Sequence, residues 1–444
     1  MSQFYKTSLF YSIMRVYSNF IYKRWYSTIE INGDINIPEG GPVIFAPNHQ
    51  NAFIDAMALL SSSPRPVVFW VRADIFSNKI IDSILRSLKM MPAYRMRNGY
   101  SNLKKNQESM SDSDDVLLHD EFLCLMPEGG QEEYRSLRPL VKGIFRSAFS
   151  AQSKITDKNK WVKIIPVGID YGHYDKSGRH LIVNFGKPIS IKDYAQLHEE
   201  NAPVALNKIK EELARRMEPL MLNIKSKDHY DTFYTAACLH NQTMLNLLNL
   251  PDNETSRLVA RQKIVEILDK AETDERCTEY IQQLEDLCQK WSKDHPDVSF
   301  SGRMQEFGKS IDANLVADIL YLILFSWLLI YSLAINGIGY AICKLLGKKM
   351  RGTGFESSVK FGSAGLLMPI IYIIETIIAA FFFKDFIHTV AFFFTLPISF
   401  SFMLRYKWRF ERVKERLRNI IKKSPYPSSI STIMQQIIST IGLQ

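Results

Sequence analysis

The sequence is poor in the features that mark several familiar classes of protein. Its five cysteines are spread over 444 residues without a close pair, so neither a disulfide framework nor a zinc site is predicted. This spacing fits a reducing compartment, where such cysteines are small buried side chains. The chain also lacks a Gly-x-Ser-x-Gly turn, a P-loop and a His-Glu-x-x-His helix. Serine hydrolase, nucleotidase and zincin chemistries therefore have no support.

Acidic residues do not balance the basic ones. Lys and Arg total 55 against 46 Asp and Glu, a net charge of +9, which suits nucleic acid or an anionic membrane surface as a partner. An apolar content of 46% excludes a disordered chain, and the length indicates two or three units. Because the positive charge concentrates beside apolar segments, we expect the partner to be a lipid bilayer and not a nucleic acid.

Residues 1–28 lack the pattern of a cleavable signal, since no uninterrupted apolar core and no small-residue cleavage site are present. Aromatic and aliphatic residues alternate instead with Lys6, Arg15, Lys23 and Arg24. This pattern is typical of an amphipathic helix in a membrane interface, and an ordinary helix packed on a core is the alternative.

An α/β fold is predicted for residues 29–222, with a central mixed sheet flanked by helices. Short apolar strands are predicted at 43–46, 67–71, 122–126, 162–167 and 181–183. Helical stretches separate them, for example at 55–60 and 80–88, which favours a sheet covered on both faces. Residues 223–312 are charged, with apolar positions at helical spacing, and predict a helical accessory region.

Residues 313–404 have the composition of C-terminal transmembrane helices. The apolar stretches are 315–342, 362–383 and 386–404, each near the length that a spanning helix needs. Basic residues cluster after the first and third stretches, so we expect both clusters to face the cytoplasm, with 405–444 as a basic tail. The first stretch must then return to its starting side, as two tilted short helices or as a re-entrant hairpin bent at Asn336-Gly337-Ile338-Gly339. Three simple crossings would place residues 405–418 on the other side and are disfavoured.

A histidine and an aspartate lie where the first predicted strand ends. His49 precedes Asp55 by six residues, and on one continuous helix their side chains would diverge. They can meet only if His49 lies on the loop after the strand and Asp55 on the first turn of the next helix. The carboxylate would then accept a hydrogen bond from one imidazole nitrogen and leave the other as a base.

Further polar blocks follow along the chain. Arg95 and Arg97 offer two guanidinium groups, which suit phosphate binding, although solvated surface charge is the simpler interpretation. Glu128 and Gly129 follow the strand at 122–126, where glycine allows close approach of a ligand. Each block taken alone is a weak signal.

Taken together, the blocks resemble those of the glycerolipid acyltransferases, which include glycerol-3-phosphate and lysophosphatidic acid acyltransferases. The resemblance covers about residues 30–190. The matching segments are Asn48-His49 to Asp55, Tyr94 to Arg97, Met126 to Gly130 and Ile164 to Val167, with Lys142-Gly143 as a further element.

Two departures from the family pattern carry information. Five residues separate His49 from Asp55 where most members have four, which resembles a fungal-type branch acting on glycerol-3-phosphate or dihydroxyacetone phosphate. The third block has Gly130-Gln131 where Thr-Arg or Thr-Ser is usual. The missing arginine leaves phosphate binding to Arg95 and Arg97.

The resemblance implies a membrane-bound enzyme of phospholipid biosynthesis. His49 would be the general base and Asp55 would hold its tautomer, while backbone amides near Gly129 would stabilise the oxyanion. Substrate-binding roles are expected for the following residues: Asn48, Arg95, Arg97, Glu128, Gly129 and Lys142.

The expected partners are an acyl thioester donor, either acyl-CoA or acyl-carrier protein, and a glycerol-phosphate or lysolipid acceptor, with no metal or other cofactor. We expect a multi-pass membrane protein with its catalytic domain facing the cytoplasm. A lysophosphatidic acid acyltransferase and a non-catalytic lipid-binding membrane scaffold are the alternatives. A transporter is a third, suggested only by Glu375 within an apolar stretch.

Overall fold

The computed structural model describes residues 4–94, 101–295, 312–422 and 426–442. The chain divides into two compact units. The first comprises Met1–Lys23, Ile29–Asp170 and Leu181–Asn223. The second comprises Arg24–Thr28, Tyr171–His180 and Ile224–Gln444.

An eight-stranded mixed sheet forms the core of the first unit. Its strands are β1 (Thr28–Asn32), β2 (Val43–Pro47), β3 (Val67–Arg72), β4 (Met90–Ala93), β5 (Phe122–Cys124), β6 (Lys163–Tyr171), β7 (His180–Phe185) and β8 (Ile189–Ser190). The order is β1-β7-β6-β2-β5-β3-β4, and β8 pairs antiparallel with β6. Within the set β2 to β6, every pair of neighbouring strands is parallel. The carboxyl ends of these strands therefore lie at one edge of the sheet.

The central strands are short runs of Val, Ile, Leu and Phe because helices cover the sheet. The helices are α1 (Leu9–Trp25), α2 (Ala52–Ser62), α3 (Lys79–Ser87), α4 (Ser101–Leu118), α5 (Gly143–Lys154) and α6 (Ala195–Met217). One core joins Ile44, Leu123 and Ile164 of the sheet to Phe145 of α5 and Leu213 of α6. Full burial of each such side chain contributes about 1.5–3 kcal/mol.

The α1 helix leaves much of its apolar face exposed. Leu9, Ile13 and Val16 are mostly exposed, whereas Tyr11 and Tyr22 are buried. The helix that the sequence predicted at the N-terminus is therefore present, with an uncovered apolar stripe of the kind that suits a lipid interface.

A helical bundle forms the first part of the second unit. Its helices are α7 (Tyr230–Leu239), α8 (Asn241–Leu247), α9 (Glu254–Glu272) and α10 (Thr278–Asp294). The C-terminal helix α15 (Tyr426–Thr440) packs against α7, α9 and α10 and buries Ile430, Met434 and Ile437. The expectation of a basic tail after residue 404 is wrong here, because the apolar face of α15 completes this bundle.

Four helices carry the apolar part of the chain. They are α11 (Ala313–Leu324), α12 (Ser326–Lys349), α13 (Glu356–Phe383) and α14 (Phe386–Lys422). Among the described residues, α12, α13 and the 386–418 part of α14 are long and apolar enough to cross a membrane. The α14 helix continues well past residue 404, so the basic residues 405–418 are helical rather than part of a tail.

Contacts with α14 give the direction of α11 and α12. The α11 helix is antiparallel to α14, because its successive contacts fall at earlier and earlier residues of α14. The contacts are Asp312 with Arg416, Asp318 with Arg409, and Leu322 with Tyr406. The α12 helix is parallel to α14. Its contacts are Tyr331 with Thr395, Asn336 with Ser399, and Tyr340 with Lys407. The chain therefore reverses between α11 and α12, at Phe325.

The predicted bend at residues 336–339 is wrong, since α12 is continuous there. A Cβ on Gly339 would lie 2.6 Å from the sulfur of Met368 on α13. This glycine lets two helices approach closely, a common use of glycine in membrane helices. The sequence pattern alone does not distinguish a packing glycine from a bend.

Candidate active site

The loop after β2 brings His49 onto Asp55. Nδ1 of His49 lies 2.8 Å from Oδ2 of Asp55, and Asp55 is in the first turn of α2. This is the strand, loop and helix arrangement that a six-residue spacing requires. Asp55 is fully buried, whereas the His49 side chain is 18% exposed.

Asp55 is held by three donors on the same oxygen. Besides His49, the backbone N–H groups of Gln50 and Asn51 donate to Oδ2 at 2.9 and 2.7 Å. Ala52 has a φ of +45°, a left-handed conformation that costs a non-glycine residue about 1–2 kcal/mol. This strained residue begins α2 directly after the two amides that reach the carboxylate.

The contact with Asp55 assigns the imidazole tautomer. A carboxylate accepts a hydrogen bond, so Nδ1 of His49 carries the proton and Nε2 keeps its lone pair in the neutral ring. Nε2 has no partner within the described part of the chain. The His49–Asp55 pair therefore offers one free, partly exposed base.

Asn48 is completely buried beside this pair. Its Oδ1 accepts from the N–H of Ile169 at 2.7 Å, and its Nδ2 donates to the carbonyl of Ile169 at 3.0 Å. Its amide thus continues the pairing of β2 with β6 beyond the last strand residue. This geometry favours a role in bracing the loop over the substrate contact predicted from the sequence.

Glu128 connects the loop after β5 to the loop after β2. Its Oε1 accepts the backbone N–H of His49 at 2.9 Å. Burial raises the pKa of Glu128 above its usual value, although the His49 N–H and the Arg138 guanidinium act to lower it. A buried carboxylate with these contacts positions His49 rather than facing bulk solvent.

The glycines of this block differ in what their amides do. Gly129 has a φ of +66° and donates its N–H to the carbonyl of Met126 at 3.2 Å, so this amide is engaged in a turn. A Cβ on Gly129 would lie 3.2 Å from Val141. The N–H of Gly130 has no partner among the residues described. The N–H of Gly130 is therefore a candidate donor to an oxyanion.

Arg138 is the residue of this site that the sequence did not reveal. Its Nε donates to Oε2 of Glu128 at 2.7 Å, and its Nη2 donates to the carbonyl of Gly130. Nη1 lies 3.6 Å from Oε1 of Glu132. The signal in the sequence was indirect, because a buried Glu in a turn needs a cation nearby.

The remaining predicted residues are Tyr94, Arg95, Arg97, Lys142 and the fourth block. Tyr94 follows β4, whereas Arg95 and Arg97 fall outside the described residues. Lys142 directly precedes α5 and is partly exposed. The fourth block, Ile164 to Val167, is buried within β6, so its side chains belong to the core of the sheet. In the described ranges, no three His, Cys, Asp or Glu side chains are grouped to hold a metal ion.

Comparisons with known proteins cover the part of the chain that contains this site. Residues 28–170 match the family model described as Acyltransferase. A segment of 75 residues, 17% of this chain, is 37% identical to 10% of glycerol-3-phosphate O-acyltransferase 1 of Saccharomyces cerevisiae. A segment of 173 residues, 38% of this chain, is 22% identical to 23% of glycerol-3-phosphate O-acyltransferase 2 of that yeast. The chain thus spans less than a quarter of either relative.

Among solved structures, the 1-acyl-sn-glycerophosphate acyltransferase PlsC of Thermotoga maritima aligns over 46% of this chain and 78% of its own, with a TM-score of 0.34 and 14% identity.

Proposed function

We propose that this chain is a glycerolipid acyltransferase that transfers a fatty acyl group to glycerol-3-phosphate or dihydroxyacetone phosphate. Residues 28–170 match the Acyltransferase family model, and segments of the chain align with two yeast glycerol-3-phosphate O-acyltransferases, which supports the proposal. The donor is an acyl thioester, either acyl-CoA or acyl-carrier protein. The observation that carries the proposal is the His49–Asp55 pair, whose Nδ1 is held and whose Nε2 is free.

The reaction uses groups that the site places together. Nε2 of His49 takes the proton of the acceptor hydroxyl as its oxygen attacks the thioester carbonyl carbon. Asp55 keeps the imidazole oriented and stabilises its protonated form. The tetrahedral intermediate then expels the thiolate, which takes the proton from His49. The free N–H of Gly130 is the proposed donor to the oxyanion.

The second block supplies cations for the acceptor. We expect Arg95 and Arg97 to bind the acceptor phosphate, with Lys142 as a further cation at the edge of the site. Arg97→Ala should then raise the acceptor KM far more than the donor KM. A change in the donor KM alone would contradict this assignment.

The two alternatives have less support. A lysophosphatidic acid acceptor would use the same base and the same phosphate contacts, so the geometry of the described residues is compatible with it. The names of the two yeast relatives favour glycerol-3-phosphate. A non-catalytic lipid-binding scaffold is disfavoured by the intact pair of His49 with buried Asp55.

Assay of the full-length purified protein separates these functions. Labelled acyl-CoA would be offered with glycerol-3-phosphate, dihydroxyacetone phosphate or lysophosphatidic acid, with His49→Ala protein as the blank. We expect the first two acceptors to give the highest kcat/KM. Preference for lysophosphatidic acid would reassign the substrate, and no transfer to any acceptor would favour the scaffold.

We further propose a multi-pass membrane protein in which α11 and α12 form a hairpin and α13 and α14 an out-and-back pair. Both basic segments then face the cytoplasm together with the catalytic unit. Single cysteines at Asn314, Gly352 and Asp385, in a background without the five native cysteines, test this. Asn314 and Gly352 should label from the cytoplasmic side and Asp385 from the other. Labelling of Asn314 and Gly352 from opposite sides would exclude the hairpin.

A further inference from the structure

We propose that the carboxyl end of α12 carries a binding site for an anionic phospholipid. The site consists of an apolar groove formed by Ile342, Leu345 and Leu346, and of the ammonium groups of Lys348 and Lys349 at its end. The inference goes beyond the proposed acyl transfer and uses residues of the second unit alone.

The groove follows one face of α12. Its lining residues include a series at spacings of three and four, which places their side chains on the same face: Ile342, Leu345, Leu346 and Lys349. The groove has a volume of about 420 Å³, and the helix rises about 10 Å from the first of these residues to the last. An apolar stretch that ends in ammonium groups matches the order of acyl chain and charged headgroup in a lipid.

A different face of α12 packs against the neighbouring helix. Cys343 and Gly347 are buried, and a Cβ on Gly347 would collide with the side chain of Lys360 on α13. Ile342 and Leu345, in contrast, are 41% and 59% exposed. Every residue that lines the groove belongs to α12. The groove is therefore not a seam between packed helices, and its open side is available to a ligand.

The ammonium groups at the end of the groove lack a counter-charge. Both Lys348 and Lys349 are exposed, and neither has an acidic partner in the described part of the chain. The basic residues of α14 differ, since Arg409 and Arg412 bind Asp318. The protein thus neutralises cations where α14 meets α11 and leaves two unpaired beside the apolar groove. An anion from outside the chain would complete the pairing.

Two simpler explanations cover only part of this arrangement. Cations near the carboxyl end of a helix complement its dipole, and basic residues collect at the cytoplasmic ends of membrane helices. Lysines on any face of α12 would serve both purposes. Neither explanation requires the lysines to continue an exposed apolar stripe, which is the feature that a lipid would use.

The chemistry of the groove selects a lipid over a soluble anion. Inorganic phosphate would gain nothing from the apolar side chains, and a zwitterionic lipid would bring no net charge to the two lysines. In the proposed topology Gly352 faces the cytoplasm, so the end of α12 lies where the helix leaves the bilayer. Anionic headgroups occupy that depth of the membrane, and basic pockets there recognise them.

The experiment measures lipid binding by the full chain in detergent micelles. Phosphatidylglycerol, an anionic lipid, and phosphatidylcholine, a zwitterionic one, are titrated separately, and bound lipid is counted by native mass spectrometry. The rise in melting temperature with each lipid gives a second readout. Inorganic phosphate is added as a competitor, in order to separate a lipid site from a site for any small anion.

The lysine variant is Lys348→Gln/Lys349→Gln. Its matched control is Arg405→Gln/Lys414→Gln, which removes two exposed cations of α14 that do not line the groove. Wild-type protein should bind phosphatidylglycerol at least about tenfold more tightly than phosphatidylcholine. The lysine variant should bind phosphatidylglycerol roughly 10- to 30-fold more weakly, because each cation near an anionic headgroup contributes severalfold to the affinity. The control should stay within about twofold of wild type.

A second variant, Ile342→Ala/Leu345→Ala, tests the apolar half of the site. It should weaken the binding of phosphatidylglycerol by about fivefold, because less apolar surface is buried against the acyl chain. Both side chains are exposed, so the fold should be unaffected. Unchanged binding in this variant would overturn the site, whether or not the lysine variant folds.

Other results would also overturn the proposal. Equal losses in the lysine variant and its control would mean that net charge alone attracts the lipid. Equal affinity of wild-type protein for the two lipids would remove the selectivity, and displacement of phosphatidylglycerol by millimolar inorganic phosphate would indicate a site for small anions. Failure of the proposed acyl transfer is distinct, because neither readout requires turnover.

Discussion

Buried polar clusters occur in both units, and they differ in how completely their members are paired. Asn336 on α12 donates to the hydroxyl of Ser399 and to its own helix, and accepts from the hydroxyl of Tyr372 at 2.9 Å. In the first unit, Asp55 is equally well paired, but its partner His49 keeps a free ring nitrogen.

The difference follows from what surrounds each cluster. A polar group buried among apolar helices finds no water, so helices α12, α13 and α14 satisfy the hydrogen bonds of Asn336 among themselves. The proposed active site leaves one ring nitrogen unsatisfied until substrate binds, and buried partners hold that group in place. Removal of a partner should therefore cost stability in the second unit and rate in the first.

The largest effect is expected at His49. His49→Ala should lower the turnover rate by at least about 10²-fold, because the proton acceptor is lost, with little change in melting temperature. Asp55→Asn should lower the rate similarly and also reduce stability by about 1–3 kcal/mol, because two backbone amides donate to that oxygen. Steady-state kinetics and thermal unfolding check both, and wild-type turnover in His49→Ala would exclude it as the base.

A pH-dependent effect is expected at His240 in the second unit. His240 is buried, no described residue bonds either ring nitrogen, and burial lowers its pKa to about 4. Between pH 6.5 and pH 4, His240 binds a proton in the unfolded chain but not in the folded chain. Stability should therefore fall by about 3 kcal/mol as pH drops from 6.5 to 4.

His240→Phe should remove this acid sensitivity, as measured by the midpoint of denaturant unfolding across that pH range. His119→Phe, at an exposed position, is the control and should keep it. An unchanged pH profile in His240→Phe would place the acid-sensitive group elsewhere.

A smaller loss of stability is expected where α11 meets α14. Asp318 is buried and accepts from Arg409 at 2.6 Å and from Arg412 at 2.9 Å. Asp318→Asn should cost about 1–3 kcal/mol, because two partly buried cations lose their counter-charge. Activity in detergent at low temperature should stay within a few-fold of wild type. A rate loss as large as that of His49→Ala would show that this cluster is not purely structural.

The smallest effect is expected at Asn336. Asn336→Leu should reduce the stability of the helix bundle by about 1 kcal/mol, the usual size of an interhelical hydrogen bond in a membrane. Gly337→Ala is the neighbouring control, since a Cβ there meets nothing within 4 Å. Equal effects of the two substitutions in thermal unfolding would show that the polar cluster contributes no specific stability.

Much of the first unit was readable from local patterns. Five apolar runs were predicted as strands and correspond to β2, β3, β5, β6 and β7. Of the missed strands, β8 has two residues and β4 carries no β-branched residue, whereas β1 contains Thr28, Ile29 and Ile31 but forms no continuous apolar run. Their pairing with neighbours, rather than their own composition, makes them strands.

The residues of the candidate site also divide into those that could be predicted from the sequence and those that could not. His49 and Asp55 were readable because six residues along a strand, loop and helix have one geometry that brings them together. Arg138 was not, because its contacts with Glu128 and Gly130 depend on the path of a long loop. The role of Asn48 was also hidden, since its partner Ile169 is 121 residues away.

By itself, the sequence determined the properties that depend on near neighbours along the chain: the apolar strands, the long apolar helices, and the histidine and aspartate on either side of a turn. Tertiary structure decided what depends on residues far apart in sequence. The reversal at Phe325 is supported by Asp318 meeting Arg409, 91 residues later, whereas the glycines of α12 serve packing. Local periodicity reports which face of a segment is apolar, but the partner that covers the face is chosen only when distant segments pack.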